Sequence, residues 1–274
     1  MVVGSEKHSL ESLGILKKLA ANDRPTREAG ISALETYLES SQDISQLDFL
    51  KVWKGLYYCM WMTDRPKAQR DMALKLPSLL LVADDAIATK FVEAFWATIC
   101  REWNNIDLLR VDKFYLLIRW FVHMMFRRLS QSDWERSLVE KWTDILIKYP
   151  LNSTNASIPD GIRYHMIDIY LDELERAVNG LETTEANKSP TTSTETTDID
   201  KKSSKSGPDL PIAEILRPFE KLARDGKSKL VKRRAIVEVL NDARLESIWQ
   251  YSAPQIKPPK EVDNKPAKKR LRIK

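Results

Sequence analysis

The sequence has few glycines and cysteines and no long apolar run, and each shortage argues against a class of protein. Its 274 residues include only eight glycines, which disfavours a sheet protein rich in tight turns. The two cysteines, Cys59 and Cys100, lie in apolar segments without the spacing of a zinc site, so both are predicted to be buried thiols. No apolar run approaches the roughly 20 residues that cross a bilayer. The N-terminus lacks the basic and apolar regions of a signal peptide, so we expect an intracellular protein that has no membrane partner.

Motifs for catalysis are missing as well. The three histidines, His8, His123 and His165, fall on separate segments, and the last two lie on apolar stretches typical of hydrogen-bonded core histidines. There is no Gly-rich phosphate loop, no Ser or Cys nucleophile motif and no paired acid and base. The sequence therefore predicts no catalytic residue, no cofactor, no metal and no small-molecule substrate.

What the chain has in quantity is helical periodicity, with no convincing strand pattern. Eight helices with short connections are expected before residue 180, the first from about Ser9. Asp23 and Asp64 each precede an Arg-Pro pair, which predicts a capped helix start with proline in the first turn. Three more starts are predicted at Asp84 or Asp85, Asp107 and Asp133. Because the proline-marked starts are about 40 residues apart, the predicted fold is all-α, a HEAT/armadillo-like helical-repeat superhelix.

Residues 51–67 are the most informative stretch. They hold two tryptophans, two tyrosines, two methionines and a cysteine within one short helical segment. An ordinary amphipathic helix keeps its apolar residues on one stripe, whereas these spread around most of the circumference. The segment is therefore predicted to lie in the inner layer of a stack of helices.

Composition divides the chain into four parts. Residues 1–180 form the predicted helical domain. Residues 181–209 are rich in Ser and Thr and nearly free of large apolar side chains, which predicts a disordered linker. Residues 210–254 read as two further helices, 210–223 and 228–243, which would dock on the body or on a partner. Residues 255–274 are rich in proline and lysine and are predicted to be a disordered basic tail.

The positive charge is concentrated in the last quarter of the chain. Residues 1–180 and 181–209 each have a net charge of −2, whereas residues 210–254 carry +3 and residues 255–274 carry +6. Cations in this pattern give salt-sensitive affinity for phosphates. The alternative to RNA binding is a solvated helix face plus a nuclear import signal at 268–272. The candidate RNA-binding residues are Arg217, Lys221, Arg224, Lys227, Lys229, Lys232, Arg233, Arg234, Lys257, Lys260, Lys265, Lys268, Lys269, Arg270, Arg272 and Lys274.

Acidic residues cluster on the eighth predicted helix, at Asp168, Asp172 and Glu173. Their helical spacing would suit a metal ion, but a solvated acidic face that binds a basic partner is the favoured interpretation.

Three segments resemble a known family. They are residues 52–66, residues 95–115 with the string Glu-Trp-Asn-Asn-Ile-Asp, and residues 161–174 with Gly-Ile-Arg-Tyr-His-Met. In this order they are similar to the eukaryotic ribosomal RNA-processing protein 1 family, and the short length and tail resemble its compact fungal form. The resemblance implies a non-catalytic nucleolar scaffold, needed for pre-rRNA processing in early nuclear precursors of the large ribosomal subunit. The implied partners are pre-rRNA, Brix-domain and WD-repeat assembly factors, and possibly ribosomal proteins.

The resemblance also implies structural roles for the family-signature residues. The aromatic ones would pack helices, whereas Arg110, Asp112 and Lys113 would pair across helix ends or face a partner. The signature residues are Trp53, Gly55, Trp61, Asp64, Trp96, Trp103, Asp107, Arg110, Asp112, Lys113 and Tyr115.

Three hypotheses of different classes follow. The first is an adaptor that binds assembly factors through its helical body and pre-rRNA through its basic C-terminal quarter. The second is a pure protein–protein adaptor whose basic segments serve only nuclear import. The third, an RNA-modifying or RNA-cleaving enzyme, finds no site in the sequence.

Overall fold

The computed structural model describes residues 14–40, 44–180 and 210–259. The start of the first expected helix, the expected linker and the tail beyond residue 259 lie outside these ranges. The α-helices of the described residues are α1 (Ile15–Leu19), α2 (Arg24–Glu39), α3 (Gln46–Trp61), α4 (Pro66–Ser78), α5 (Asp85–Glu102), α6 (Val111–Gln131), α7 (Arg136–Lys148), α8 (Asp160–Val178), α9 (Ile212–Asp225), α10 (Lys229–Arg234) and α11 (Ala243–Ser247). Short 3-10 turns follow α4 at Leu79–Leu81 and α5 at Trp103–Asn105, and a π-helix at Ala235–Leu240 continues α10.

The helices stack in two layers. In one layer α1, α3, α5, α7 and α9 pack side by side, and in the other α4, α6, α8 and the π-helix do the same. Within each layer a helix therefore packs against the helix two places further along, which is the arrangement of a helical-repeat superhelix. The all-α superhelical prediction is confirmed, and within the described ranges the chain forms no strand.

Two helix starts follow directly from local side-chain chemistry. Asp23 caps α2 by accepting a hydrogen bond from the Thr26 amide at 2.9 Å, with Pro25 in the first turn. Asp84 caps α5 in the same way through the Ile87 amide at 2.8 Å. Both were predicted, because a short acidic side chain satisfies an amide that the first helical turn leaves without a partner.

Three other predicted caps are wrong, although α4 does begin with Pro66 in its first turn. Arg65, not Asp64, is the residue before α4, and it makes no side-chain cap. Helix α6 begins at Val111 after Arg110, and the Asp107 carboxylate binds the Arg110 guanidinium. Glu135 caps α7 instead of Asp133, which lies in the preceding turn with a φ of 48°.

Helix α3 lies in the middle of the first layer, as its aromatic content predicts. Trp53 is 1% exposed, and its ring centroid lies 4.8 Å from those of Phe91 and Phe95 on α5 and 5.5 Å from that of Phe121 on α6. Protein surrounds the helix on several sides, which explains why its apolar residues are not confined to one stripe.

The C-terminal segment packs on the body. Helix α9 contacts α7, and the π-helix contacts α8 and α9. The buried Tyr170 hydroxyl on α8 donates to the Ile215 carbonyl at 2.9 Å. The helix predicted over 228–243 spans Lys229–Leu240 as α10 and the π-helix, and Asp242 then caps a new helix, α11, by accepting from the Arg244 amide.

Candidate interaction surfaces

Three arginines of the C-terminal segment hold it against the body. Arg217 Nη2 on α9 donates to Asp144 Oδ1 at 2.7 Å and to Thr143 Oγ1 at 2.8 Å, both on α7. Arg234 Nη2 donates to Asp168 Oδ1 on α8 at 2.5 Å. Arg244 Nη1 lies 3.0 Å from Asp172 Oδ1 and 3.0 Å from a Glu175 oxygen, also on α8. All three arginines therefore form ion pairs within the chain, and two of them, Arg217 and Arg234, are candidate RNA-binding residues.

The acidic residues of α8 consequently have basic partners in the same molecule. Asp168 and Asp172 receive Arg234 and Arg244, and their side chains remain 50% and 44% exposed. Glu173 is completely buried, which corrects the expectation that it belongs to a solvated face. Helical spacing placed the three acids near one another but did not reveal that one of them points into the core.

Glu173 is the buried centre of an ionic cluster between α6 and α8 whose two arginines are partly exposed. It accepts from Arg119 Nε at 2.6 Å and from Arg176 Nη1 at 2.9 Å, and His123 Nδ1 lies 3.1 Å from its carboxylate. Burial pushes the pKa of Glu173 upward, but the His123, Arg176 and Arg119 side chains outweigh burial and lower the pKa from its ordinary 4.5. The carboxylate is therefore held ionised inside the protein.

Other cations of the C-terminal segment point outward near the turn between α9 and α10. Lys221, Lys227 and Lys229 are exposed, and none forms an ion pair with any residue that the structure describes. Arg224 lies 3.5 Å from Glu220, and Lys232 Nζ donates to the Arg224 carbonyl at 2.8 Å. Two further candidates, Arg233 and Lys257, are exposed. The remaining ones lie outside the described residues: Lys260, Lys265, Lys268, Lys269, Arg270, Arg272 and Lys274.

Two signature residues of α3 and one of α5 occupy the core. Trp53 Nε1 donates to the Phe91 carbonyl at 3.0 Å, and Trp96 is fully buried. A Cβ on Gly55 would lie 2.9 Å from Leu19 Cβ on α1, which is closer than carbon atoms tolerate. Glycine at this position therefore permits the close approach of α1 and α3.

Arg110 and Lys113, at the start of α6, both contact the end of α3. Lys113 is buried, and its Nζ donates to the Trp61 and Thr63 carbonyls at 2.6 and 2.8 Å, where α3 ends. Burial lowers the pKa of Lys113. Arg110 lies 4.8 Å from the Trp61 ring centroid and pairs with Asp107. A lysine therefore satisfies carbonyls that the helix end leaves free.

The remaining signature residues divide between packing and exposure. Trp103 and Tyr115 have ring centroids 5.1 Å apart, and the Tyr115 ring lies 4.6 Å from that of His165. His165 Nε2 donates to the Tyr115 carbonyl at 2.9 Å, so this histidine packs α8 against α6. Asp64 and Asp112 are exposed.

Leu108 and Leu109 form a surface feature that the sequence reading missed. Their exposed fractions are 86% and 91%, on the turn that connects α5 and α6. The turn is fixed, because Arg110 bonds to the Asp107 carboxylate and the amides of Arg110 and Val111 both donate to the Asp107 carbonyl. The signal in the sequence is two consecutive leucines between an acidic and a basic residue, outside any helical stripe. We call Leu108 and Leu109 the leucine pair.

The described residues hold no arrangement that resembles a catalytic centre. Cys59 and Cys100 are buried, as predicted, and burial raises the pKa of their thiols to about 11 and about 12. Among residues 14–40, 44–180 and 210–259, no three His, Cys, Asp or Glu side chains lie close enough together to hold a metal ion. No described helix has the length and apolar character to cross a membrane.

A cavity of about 630 Å³ opens between α2 and α4. Its rim is mixed in charge, with Arg24 bound to Glu28 at 2.6 Å and Lys75 bound to Glu35 at 2.5 Å. The buried Arg27 at its wall donates to the Ala21 and Asn22 carbonyls. Because these charged groups bind one another or backbone carbonyls, their contacts stabilise the walls of the cavity.

Comparison with known proteins decides the family. The family described as "Nucleolar protein, Nop52" matches residues 11–272, nearly the whole chain. The chain belongs to this Nop52 family. Ribosomal RNA processing protein 1 homolog B of Homo sapiens is 38% identical over 166 residues, which make up 58% of this chain and 22% of the human protein. The resemblance identified from the three sequence segments is thereby confirmed.

Two other relatives show the same partial overlap. Human ribosomal RNA processing protein 1 homolog A is 33% identical over 59% of this chain and 36% of its own length. The Drosophila melanogaster homolog is 32% identical over 62% of this chain and 25% of its own length. The chain thus matches between about a fifth and a third of these Nop52-family relatives.

Proposed function

We propose that the protein is a non-catalytic nucleolar assembly factor of the large ribosomal subunit, required for pre-rRNA processing. It acts as a helical scaffold that binds pre-rRNA and other assembly factors of Brix-domain and WD-repeat type. Family membership supports the process, since the relatives are named for ribosomal RNA processing. The observation that carries the scaffold role is a body whose buried charges are matched internally, while cations and apolar side chains stand outward at separate places.

The basic C-terminal quarter supports the pre-rRNA contact. Arg217, Arg234 and Arg244 are engaged by acids of α7 and α8, so they secure the segment to the body. The exposed lysines beside the α9–α10 turn remain available for phosphates. Fixing some cations and leaving others outward gives a rigid basic surface, and preorganised contacts bind more tightly than flexible ones.

The leucine pair supports the contact with another assembly factor. Two adjacent leucines that remain almost fully exposed on a fixed turn are typical of a protein-binding site, where they fill an apolar pocket of the partner. Acidic and basic residues alternate around them, at Asp107, Arg110 and Asp112. Such balanced charge gives no attraction for nucleic acid and favours a protein partner.

Deletion of residues 255–274 tests the RNA contact against the import alternative. We expect the truncated chain, fused to an unrelated nuclear import signal, to enter the nucleus but to recover less pre-rRNA when it is purified from cells. Raising the salt concentration should reduce recovery with the full chain in the same way, since phosphate contacts are salt-sensitive. Quantitative PCR of co-purified large-subunit pre-rRNA is the measurement.

The two candidate functions give opposite results in this experiment. If the basic tail serves import only, the fused signal restores full recovery of pre-rRNA, and the RNA-binding role of the tail is rejected. The full chain with the same fused signal is the control for effects of the fusion.

Replacing Leu108 and Leu109 by serine tests the protein contact. Because both side chains are exposed, we expect the free energy of unfolding to change by less than about 0.5 kcal/mol. The amount of the variant that co-sediments with large-subunit precursors should fall several-fold. The matched control is Leu47→Ser, which changes another exposed leucine, 62% exposed, on α3. Unchanged co-sedimentation of the double variant would remove the leucine pair from the proposal.

A further inference from the structure

A pocket of about 360 Å³ lies beside the turn that joins α9 to α10. One wall is the loop before α8 with the start of that helix, and the other is the turn at residues 226–228 with Leu222 on α9 and Val231 on α10. The Lys227 amide donates to the Ser153 carbonyl at 3.2 Å, which joins the two walls. The volume is at the small end of the range of about 300–1,000 Å³ that ligand sites occupy.

The lining combines an apolar floor with a polar rim. Ile158, Leu222 and Val231 are buried and form the floor. The rim carries hydroxyl, amide and ammonium groups, from Ser153, Thr154, Asn155, Lys227 and Ser228. An apolar floor accepts the face of a base or ribose, and the rim offers donors and acceptors to its edges and phosphate.

The loop wall is held in place by a buried arginine. Arg163 is 6% exposed, and its guanidinium donates to the Asn152, Asn155 and Ile158 carbonyls at 2.6–3.2 Å. Asp160, the acidic residue at the pocket, accepts from the same arginine at 2.7 Å. The acidic charge is therefore compensated, and the loop is shaped before any ligand arrives.

One exposed lysine lines this pocket, and two others adjoin lining residues in the sequence. Lys227 is part of the lining, Lys221 precedes the lining residue Leu222, and Lys229 follows the lining residue Ser228. Because these three lysines form no ion pair with a described residue, their charge is available to a ligand. Successive cations around a pocket match the successive phosphates of an extended strand.

We propose that this pocket holds one nucleotide of single-stranded RNA, with Lys227 on its phosphate and Lys221 and Lys229 on the neighbouring phosphates. The inference deepens the proposed function and rests on its RNA-binding part. A single strand is favoured over a duplex because a splayed base enters a pocket, whereas paired bases remain stacked inside the helix. An acidic peptide would meet the lysines but has no group that resembles a base for the apolar floor.

The test measures binding of a fluorescein-labelled 12-nucleotide oligouridine to the full chain by fluorescence anisotropy. We expect Lys227→Glu with Lys229→Glu to weaken binding about tenfold or more and to reduce the slope of log affinity against log salt by about 0.7 for each lost contact. The matched control is Lys67→Glu with Arg70→Glu, an equal change in charge at exposed positions of α4. The control should weaken binding less than about twofold.

A second variant separates the pocket from its charge. Ala156→Trp fills the pocket from an exposed position without changing any charge, and we expect it to weaken binding about fivefold. Photo-crosslinks from 4-thiouridine in the same oligonucleotide should map to residues 153–160 or 222–231.

The outcomes distinguish failure of the RNA-binding proposal from failure of the pocket proposal. If the unaltered chain does not bind the oligonucleotide, the RNA-binding part of the proposed function is rejected. If it binds but Ala156→Trp binds equally well, or the two charge-reversed variants are equally weakened, the pocket is rejected and only diffuse attraction remains. Equal competition by polyglutamate and by unlabelled oligouridine, at matched charge, would also reject a nucleotide pocket. Circular dichroism confirms that each variant is folded.

Discussion

Replacing Trp53 by alanine is expected to lower the free energy of unfolding by about 3–5 kcal/mol. The side chain is 1% exposed and contacts the rings of Phe91, Phe95 and Phe121, so its removal leaves a cavity where α3, α5 and α6 meet. The change also leaves the Phe91 carbonyl without its indole donor. Urea denaturation followed by far-ultraviolet circular dichroism measures the effect.

The control for this prediction is Tyr58→Ala on the same helix. Tyr58 is 39% exposed, so its removal should cost less than about 1 kcal/mol although it deletes an aromatic ring of similar size. Trp53→Phe keeps most of the packing and should show an intermediate loss. If the Trp53→Ala variant loses no more stability than the Tyr58→Ala variant, the three-helix aromatic core does not hold the fold together as described.

Replacing Glu173 by alanine is expected to cost about 1–3 kcal/mol at neutral pH, because the arginines that lose this partner are partly exposed. The carboxylate is fully buried and is the common partner of Arg119, Arg176 and His123. Its removal takes the shared acceptor away from the two arginines and leaves Arg119 only the more distant Asp172, at 3.7 Å. Asp112→Ala is the matched control, since Asp112 is an exposed acid on α6, and it should change stability by less than about 0.5 kcal/mol.

The contribution of Glu173 should depend on pH with a definite sign. Because its folded pKa is lowered from 4.5, the folded state holds the proton less tightly than the unfolded state. The stabilisation is therefore complete above the unfolded pKa of 4.5 and is lost as the pH falls through the lower folded pKa. Urea titrations from pH 7 to pH 3 should show the wild-type and Glu173→Ala curves converging in acid. A constant difference down to pH 3 would contradict the ionised state of the buried carboxylate.

The sequence was informative where local chemistry decides the structure. Asp23 and Asp84 were identified as caps because each lies directly before a helical stripe, and the capping bond spans only three residues. Asp107 and Asp133 looked the same in sequence and were assigned wrongly. Asp107 is bound by Arg110, and Asp133 lies in a left-handed turn, so neither carboxylate caps the helix that follows.

The candidate surfaces were only partly predictable, because their contacts join residues that are far apart in the sequence. Composition located the basic segment and the acidic helix α8. It did not reveal that they meet, because the Arg234–Asp168 and Arg244–Asp172 contacts join residues 66 and 72 positions apart. The leucine pair was missed because periodicity describes residues that helices bury and says nothing about a fixed turn between them.

The sequence by itself determined the helical content, the inner position of α3 and the family. These depend on spacing along the backbone and on side-chain composition, which are local properties. Only the tertiary structure decided which charges remain outward, that Glu173 is buried, and that α9 to α11 pack on α7 and α8. Whether a charged side chain is available to a partner depends on which helices become neighbours, and that is settled when the layers pack.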